Sequence, residues 1–392
     1  MSAPISLSEV ADVVVIGAGI AGASIAAEVA AERQVLLLER EAQPGYHTTG
    51  RSAAIYVESY GNAVVRTLTT ASRSFFESPP QGFAEGPLWS RRGNLHIADA
   101  KSLDLLENVW TAATRYSDAP RRVSTDEALS LVPILRPEAV AGAFIEPDTM
   151  DLDVDRVHQG YLRLLKLRGG QLLCNAEVEC IERAAGSGAW SLHLRDGRVI
   201  EARVVVDAAG AWADEVAKAA GVAPAGITPK RRTALIVDGP SGVDLSTWPM
   251  VVDAAEQFYF KPEAGKLFVS PADATPSPPC DAQPDELDVA ITVDRLMTAT
   301  SLQVRRIDHQ WAGLRCFASD YTPVVGFAPG RRDFFWFAGQ GGYGIQLAPA
   351  LARAGASLLL HGCVPEDIRS MGVDGSELSP SRQACRPPEG GC

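Results

Sequence analysis

Long apolar runs are missing from this 392-residue sequence, and so are closely paired cysteines. No stretch reaches the roughly 20 apolar residues that a membrane-spanning helix needs. The opening "MSAPISLSEVAD" lacks the basic-then-apolar order of a secretory leader. The seven cysteines form no CxxC pair and no ligand spacing with histidine, so no metal site is expected. Odd in number and scattered, they suit the reduced thiols of a cytoplasm, which is the expected location. Basic charge is scarce as well. Thirty-six lysines and arginines face 48 acids, for a net charge of −12. That balance argues against nucleic acid or an anionic membrane as the main partner, while leaving room for a locally positive pocket and an anionic small molecule.

What is present begins almost at once. Asp12 to Ile16 is a mostly β-branched run of the kind buried on both faces of a sheet. Gly17-Ala-Gly19-Ile-Ala21-Gly22 follows directly, then an alanine-rich segment, Ala23 to Ala31, with strong helix propensity. Val35 to Leu38 supplies a second strand that ends at Glu39. In this βαβ order every glycine is accounted for. Gly17 permits the tight turn, Gly19 lets a pyrophosphate approach the backbone, and Gly22 lets helix and strand pack closely. A bare GxGxxG is a weak signal, but here the flanking elements and the terminal acid agree on a dinucleotide. Glu39 would take hydrogen bonds from an adenosine ribose, which disfavours a 2′-phosphate.

The motif leaves NAD and FAD both open. The continuation "REAQPGYHTTGRSAA" is rich in small residues, which would let backbone pass beside a second large moiety such as an isoalloxazine ring. A solvent-exposed turn is the other reading of that stretch. Further on, "DVDRVHQGYLRLLKLRGG" has helical spacing and "QLLCNAEVECIE" reads as a strand. "WSLHLRDGRVIEARVVVDAAGAW" reads as a hairpin turning at Asp196-Gly197, and it ends with Gly210 at the carboxyl end of a strand. Ligands lie at such ends in open α/β sheets. "SPADATPSPPCDAQPDEL" reads as a surface excursion, and "FFWFAGQGGYGIQLAPALARAGASLLLHG" as a buried strand, a Gly-rich turn and an amphipathic helix.

The segments "VIGAGIAGAS", "LEREAQPGYHTTGRSAA", "HQGYLR", "AAGAW", "PKRR", "FYFKPEAG", "WAGLR" and "GQGGYGIQ" resemble the D-amino-acid oxidase superfamily, the group that holds glycine and sarcosine oxidases. Within it the likeness is strongest to bacterial D-arginine dehydrogenase. The resemblance implies an α/β (α+β) fold. A discontinuous Rossmann-like FAD-binding domain would come from residues 10–55, 140–225 and 318–378. An inserted β-sheet-based substrate domain would come from 56–139 and 226–317, and 379–392 would be a disordered tail. It also implies FAD, which is expected to be non-covalent, and oxidative deamination of a D-amino acid to a 2-oxo acid and ammonia. Oxidation of a secondary amine or a 2-hydroxy acid stays open, as does a non-catalytic FAD-binding partner or redox sensor. Oxygen and a quinone are both open as the electron acceptor.

By the same resemblance, Ala21 and Gly22 lie by the pyrophosphate, and Glu39 and Arg40 by the adenosine. Thr48, Thr49, Gly50, Arg51, Ser52 and Ala53 run beside pyrophosphate and flavin, and Val178 serves the adenine. Gly341, Gly342, Tyr343, Gly344, Ile345 and Gln346 follow the pyrimidine edge of the ring. Arg232 and Arg315 would clamp a substrate carboxylate, since the planar guanidinium fork matches its two oxygens. Tyr60 and Tyr259 would close over it, and the Gly342 carbonyl would take the amine. Two positions depart from D-arginine dehydrogenase: Asn94 stands for a glutamate and Ile55 for a histidine. The change removes the charge partner of a cationic side chain, so neutral or apolar D-amino acids are expected ahead of cationic ones, with Glu58 as the candidate replacement acid. Cys316 falls roughly where sarcosine oxidases tether flavin; a buried packing role is the expectation here.

Overall fold

The computed structural model describes residues 10–115, 117–184 and 188–382. Its first strand, Ala11–Ile16, is buried on both faces. Val13 and Val15 enter one apolar cluster, while Ala11, Val14 and Ile16 enter another. Period-two alternation explains the split from Val13 to Ile16. This strand lies between Val35–Leu38 and Val199–Asp207 and is parallel to both. The sheet continues through Gln171–Leu173 on one side and the antiparallel strands Trp190–Leu194 and Val178–Arg183 on the other. Phe334–Ala338 joins the carboxyl half of Val199–Asp207, with Val324–Phe327 beyond it. Helices Ile20–Val29, Val154–Leu167 and Gly344–His361 share one core with this sheet. Small residues allow that close packing: a Cβ on Gly355 would come within 2.6 Å of the Phe337 ring.

A second sheet runs in the order Gln340–Gly341, Ile307–Phe317, Thr228–Val237, Lys266–Ser270, Tyr259–Glu263, Met250–Asp253, Asn94–Ala98, Gly142–Glu146, Arg121–Val123. Alternation again sorts its faces. Phe260, Leu267 and Val269 point into a core shared with Leu296 of helix Glu286–Ala299, whereas Ala234, Met250, Tyr259 and Phe268 gather on the other face with Ala53 and Ile55. The sheets meet at the Gly-rich turn. Phe334–Ala338 belongs to the first, and Gln340–Gly341 pairs with Cys316–Phe317 in the second. Gly339 (φ 73°) makes the step between them.

The structure corrects several expectations. "QLLCNAEVECIE" is two strands lying at opposite edges of the first sheet. Asn175 adopts φ 51° and the chain crosses past the end of strand Val35–Leu38, with Asn175 N–H donating to the Glu41 carbonyl and Ala176 N–H to that of Glu39. Residues 142–146, expected in the dinucleotide domain, pair instead with Asn94–Ala98 and Arg121–Val123 in the second sheet. The first helix starts at Ile20, ahead of the alanine run, because the Thr49 hydroxyl accepts its first free N–H at 2.9 Å. The tail does not begin at 379: Arg382 bonds Asp320 and the Leu378 carbonyl. Residues 383–392 lie outside the described residues.

Candidate active site

A cavity of about 490 Å³ runs between the two sheets. At the amino-terminal turn it is shaped by backbone. Gly17 sits at φ 97°, and a Cβ there would come within 2.6 Å of the Ala208 carbonyl oxygen. A Cβ on Gly22 would fall 1.7 Å from the Gly17 carbonyl oxygen, so both positions are closed to any other residue. The Glu39 carboxylate accepts the Ala18 N–H at 2.8 Å and the Glu41 N–H at 3.0 Å. Each oxygen retains lone pairs for further donors. Arg40, Val178 and Gly210 line the same end, where the Arg40 guanidinium lies 4.7 Å from the Trp212 ring centre.

The middle of the cavity is stitched across the sheets. Thr48 Oγ1 donates to the Leu314 carbonyl at 2.7 Å, and Arg51 Nη1 donates to the Ala312 carbonyl at 2.9 Å. Trp311 Nε1 returns a bond to the Arg51 carbonyl at 3.0 Å. These bonds fix strand Ile307–Phe317, and with it Arg315, against the Thr48–Ala53 segment. The surface excursion takes part as well: Arg51 pairs with Asp281 and bonds the Ala282 carbonyl.

At the far end three side chains converge. Arg315 lies against the Gly-rich turn, where a Cβ on Gly342 would stand 3.0 Å from its Nη1. Its Nη2 donates to the Tyr259 hydroxyl at 3.4 Å. Arg232 lies 5.9 Å from the centre of the same tyrosine ring. Burial alone pushes the Tyr259 phenol up; the Arg315 and Arg232 guanidiniums, with bonds to Ser270 and Arg232, bring it net below its ordinary value. Burial works against the Arg315 charge, but Tyr259, Tyr60 and Asp273 keep its affinity for the proton above the ordinary value. Among the described residues Arg315 forms no ion pair with a carboxylate. Such an arrangement suits an incoming carboxylate.

The matching family is that of the DAO-type FAD dependent oxidoreductases, which covers residues 12–358. The chain belongs to this family. Human sarcosine dehydrogenase is 24% identical over 94% of the chain, and glycine oxidase of Geobacillus kaustophilus 24% identical over 89% of the chain and 92% of its own length. Several curated relatives are longer, and the chain spans only 36% to 41% of their length. Among solved structures, that glycine oxidase superposes with a TM-score of 0.78 (22% identity, 90% of this chain, 95% of that one). L-proline dehydrogenase of P. horikoshii superposes with 0.77 (21% identity, 91% and 95%). At these identities the structures establish the fold. The comparisons support the family and do not single out D-arginine dehydrogenase within it.

FAD is the cofactor of this oxidoreductase, and the cavity fits it. A buried donor on the wall, Gln340 Nε2, lacks a protein partner, as a ligand rich in phosphate and carbonyl oxygens requires. Gly17, Gly19 and Ala21 line the cavity and would offer backbone to the pyrophosphate, and Gly344 opens a helix whose amino-terminal dipole favours negative charge. Thr48, Thr49, Arg51, Ser52 and Ala53 lie on the wall, as do Gly341, Gly342, Ile345 and Gln346.

Six expected residues do not. Gly22 and Gly50 act behind the wall through close backbone approach, to Gly17 and Gly45 respectively. Tyr343 is buried between Tyr60 and Phe317, and Tyr60 is 41% exposed with its ring 5.2 Å from Tyr343. Asn94 is 3% exposed and pairs in register with Met250, its Nδ2 within 2.8 Å of His96 Nε2 and 3.4 Å of Glu146 Oε1. Glu58 accepts from Tyr56 and Arg73, away from the main cavity.

Sequence reading missed His47, Trp212 and Asp273. The aromatic pair His47–Trp212 carried no spacing signal. Asp273 sat in a segment whose prolines and acids suggested solvent, yet it is largely buried beside Arg232. Among the described residues no cluster of metal-ligating side chains occurs, and no helix is long and apolar enough to cross a membrane.

Proposed function

We propose that the protein oxidatively deaminates neutral D-amino acids. The observation that carries this reading is the convergence of Arg315, Arg232 and Tyr259 at one end of the FAD cavity, against the Gly342 turn. The two guanidiniums take the substrate carboxylate, Tyr259 and the rim Tyr60 close over it, and the Gly342 carbonyl accepts the amine. Held at both ends, the substrate presents its Cα–H in one orientation, which is much of what the reaction needs. When bound, FAD supplies the hydride acceptor. The amine enters unprotonated, so its lone pair forms the C=N bond as the hydride leaves, and water hydrolyses the imino acid to a 2-oxo acid and ammonia. No protein base is required.

The neutral preference rests on the side-chain wall. Ile55 stands on it with Ala53 and Phe268, and the carboxylates on the cavity wall (Glu39, Glu177, Glu179 and Glu215) belong to the first sheet and its helices. Glu58 is held by Arg73, so it does not replace a lost acid. A cationic side chain would lack a partner, which is costly. Non-covalent attachment is supported by Cys316, a buried thiol pushed up to about 12 by desolvation and hence a poor nucleophile. The division into a cofactor domain and a substrate domain belongs to the same reading.

A second reading, oxidation of glycine or a secondary amine, draws on the named activities of glycine oxidase and sarcosine dehydrogenase. Catalytic efficiencies for D-leucine, D-methionine, D-phenylalanine, D-arginine, glycine and sarcosine separate the two. The neutral D-amino acids are expected to lead. D-arginine well ahead would refute the side-chain argument, and sarcosine or glycine ahead would favour the second reading.

A further inference from the structure

Strand Lys266–Ser270 ends beside the carboxylate clamp, and the residues after it hold the clamp in place. Ser270 lies opposite Tyr259 in register and bonds its hydroxyl. Ala272 takes φ 55°, a left-handed conformation that a residue with a Cβ adopts only when its surroundings impose it. That turn buries Asp273. The Asp273 backbone carbonyl accepts Arg232 Nε at 2.6 Å, and its carboxylate oxygens accept Thr233 N at 2.6 Å and Thr233 Oγ1 at 3.0 Å. The carboxylate also lies 3.9 Å from Arg232 Nε and 3.8 Å from Arg231 Nε. Arg231 has its own partner in Asp288 at 2.8 Å. With its Nε on the Asp273 carbonyl and one bond to Tyr259, Arg232 still has N–H donors for a ligand.

The charge count around the clamp is specific. Arg232 and Arg315 contribute two cations, and Asp273 is the acid beside them. Arg51 is paired with Asp281, and Lys261 with Asp151 and Glu263. Tyr60 and Tyr259 face Arg315 without a carboxylate. Arg231 is met by Asp285 and Asp288, so of the clamp's own two guanidiniums Arg232 has the Asp273 carboxylate at 3.9 Å and Arg315 has no carboxylate within ion-pair distance among the described residues.

We propose that Asp273 is the positioning residue of the clamp: it fixes Arg232 through its carbonyl and offsets one guanidinium charge, so the site accepts a ligand with one carboxylate and rejects one with two. This rests on the reading that a carboxylate binds there, but not on its being a D-amino acid. Replacing the charge isosterically, D273N, keeps the backbone carbonyl and an oxygen for Thr233.

The test is titration of the holoenzyme with propionate and with succinate, read as the perturbation of the flavin absorbance without turnover. Wild type is expected to bind succinate no more tightly than propionate. In D273N the succinate-to-propionate affinity ratio should rise at least roughly tenfold, while D273E and D288N keep the wild-type ratio. An unmoved ratio in D273N, tighter succinate than propionate binding in wild type, or no perturbation by either ligand overturns the assignment. The wild-type comparison decides even if D273N does not fold. A holoenzyme inert to D-amino acids that still shows this ratio overturns the substrate reading alone; the reverse pattern overturns the role of Asp273 alone.

Discussion

The clamp at Gly17–Gly22 and the clamp at Arg232, Tyr259 and Arg315 lie in one cavity yet are assembled by opposite means. The first presents backbone. Its determinants are missing side chains, and its one acid, Glu39, is held by two N–H groups. The second presents charge, on strands far apart in sequence that the second sheet brings together. A backbone clamp fails by steric intrusion, which removes cofactor and fold together. A charge clamp fails by losing an interaction, which removes substrate and spares both.

The largest effect is expected at the backbone end. In G22V the new side chain has no room beside the Gly17 carbonyl. The variant should retain no flavin and lose on the order of 3 kcal/mol of stability or more. Flavin absorbance per protein and thermal unfolding check this; a yellow, stable variant would break the comparison.

At the charge end, R315M should lower kcat/KM by ~10²- to 10³-fold, as loss of a desolvated charge partner does. Flavin content and melting temperature should stay near wild type. Equal loss of flavin would show that the two clamps are not separable.

The third effect is a pH slope, and it concerns an acid on the backbone side. Asp207 is fully buried, with one oxygen accepting the Ala209 N–H and the other without a partner. Burial pushes its carboxyl well above the ordinary value. Above the unfolded value the native state keeps a proton that the unfolded chain has released, so this group lowers stability as pH rises towards its folded value. The stability of D207N relative to wild type should therefore grow between pH 5 and pH 8, by at most about 1.4 kcal/mol per pH unit. A relative stability that falls over that range would contradict the assignment of Asp207 as a neutral acid.

The same contrast governs how much was legible beforehand. The dinucleotide clamp could be read because its strand, glycines, helix and acid are contiguous, and local geometry dictates each. The strand–turn–helix at Gly341–Gln346 was legible for the same reason. Arg232, Tyr259 and Arg315 were reached only through family resemblance, since no spacing links residues that meet by pairing across a sheet. Asp273 escaped because proline and acid report solvent on average, and only the turn at Ala272 folds that acid inward. Asn94 was placed on the side-chain wall by resemblance. Its burial with His96 and Glu146 depends on the register with Gly142–Glu146, which local sequence does not reveal.

The most direct measurement is the visible spectrum of the purified protein under anaerobic conditions, with D-leucine, L-leucine, D-arginine and sarcosine added separately. The account predicts rapid bleaching of the flavin bands by D-leucine, little by D-arginine or L-leucine, and none by D-leucine in R315M. Bleaching by sarcosine but not by D-leucine, or by D-leucine equally well in R315M, would contradict it.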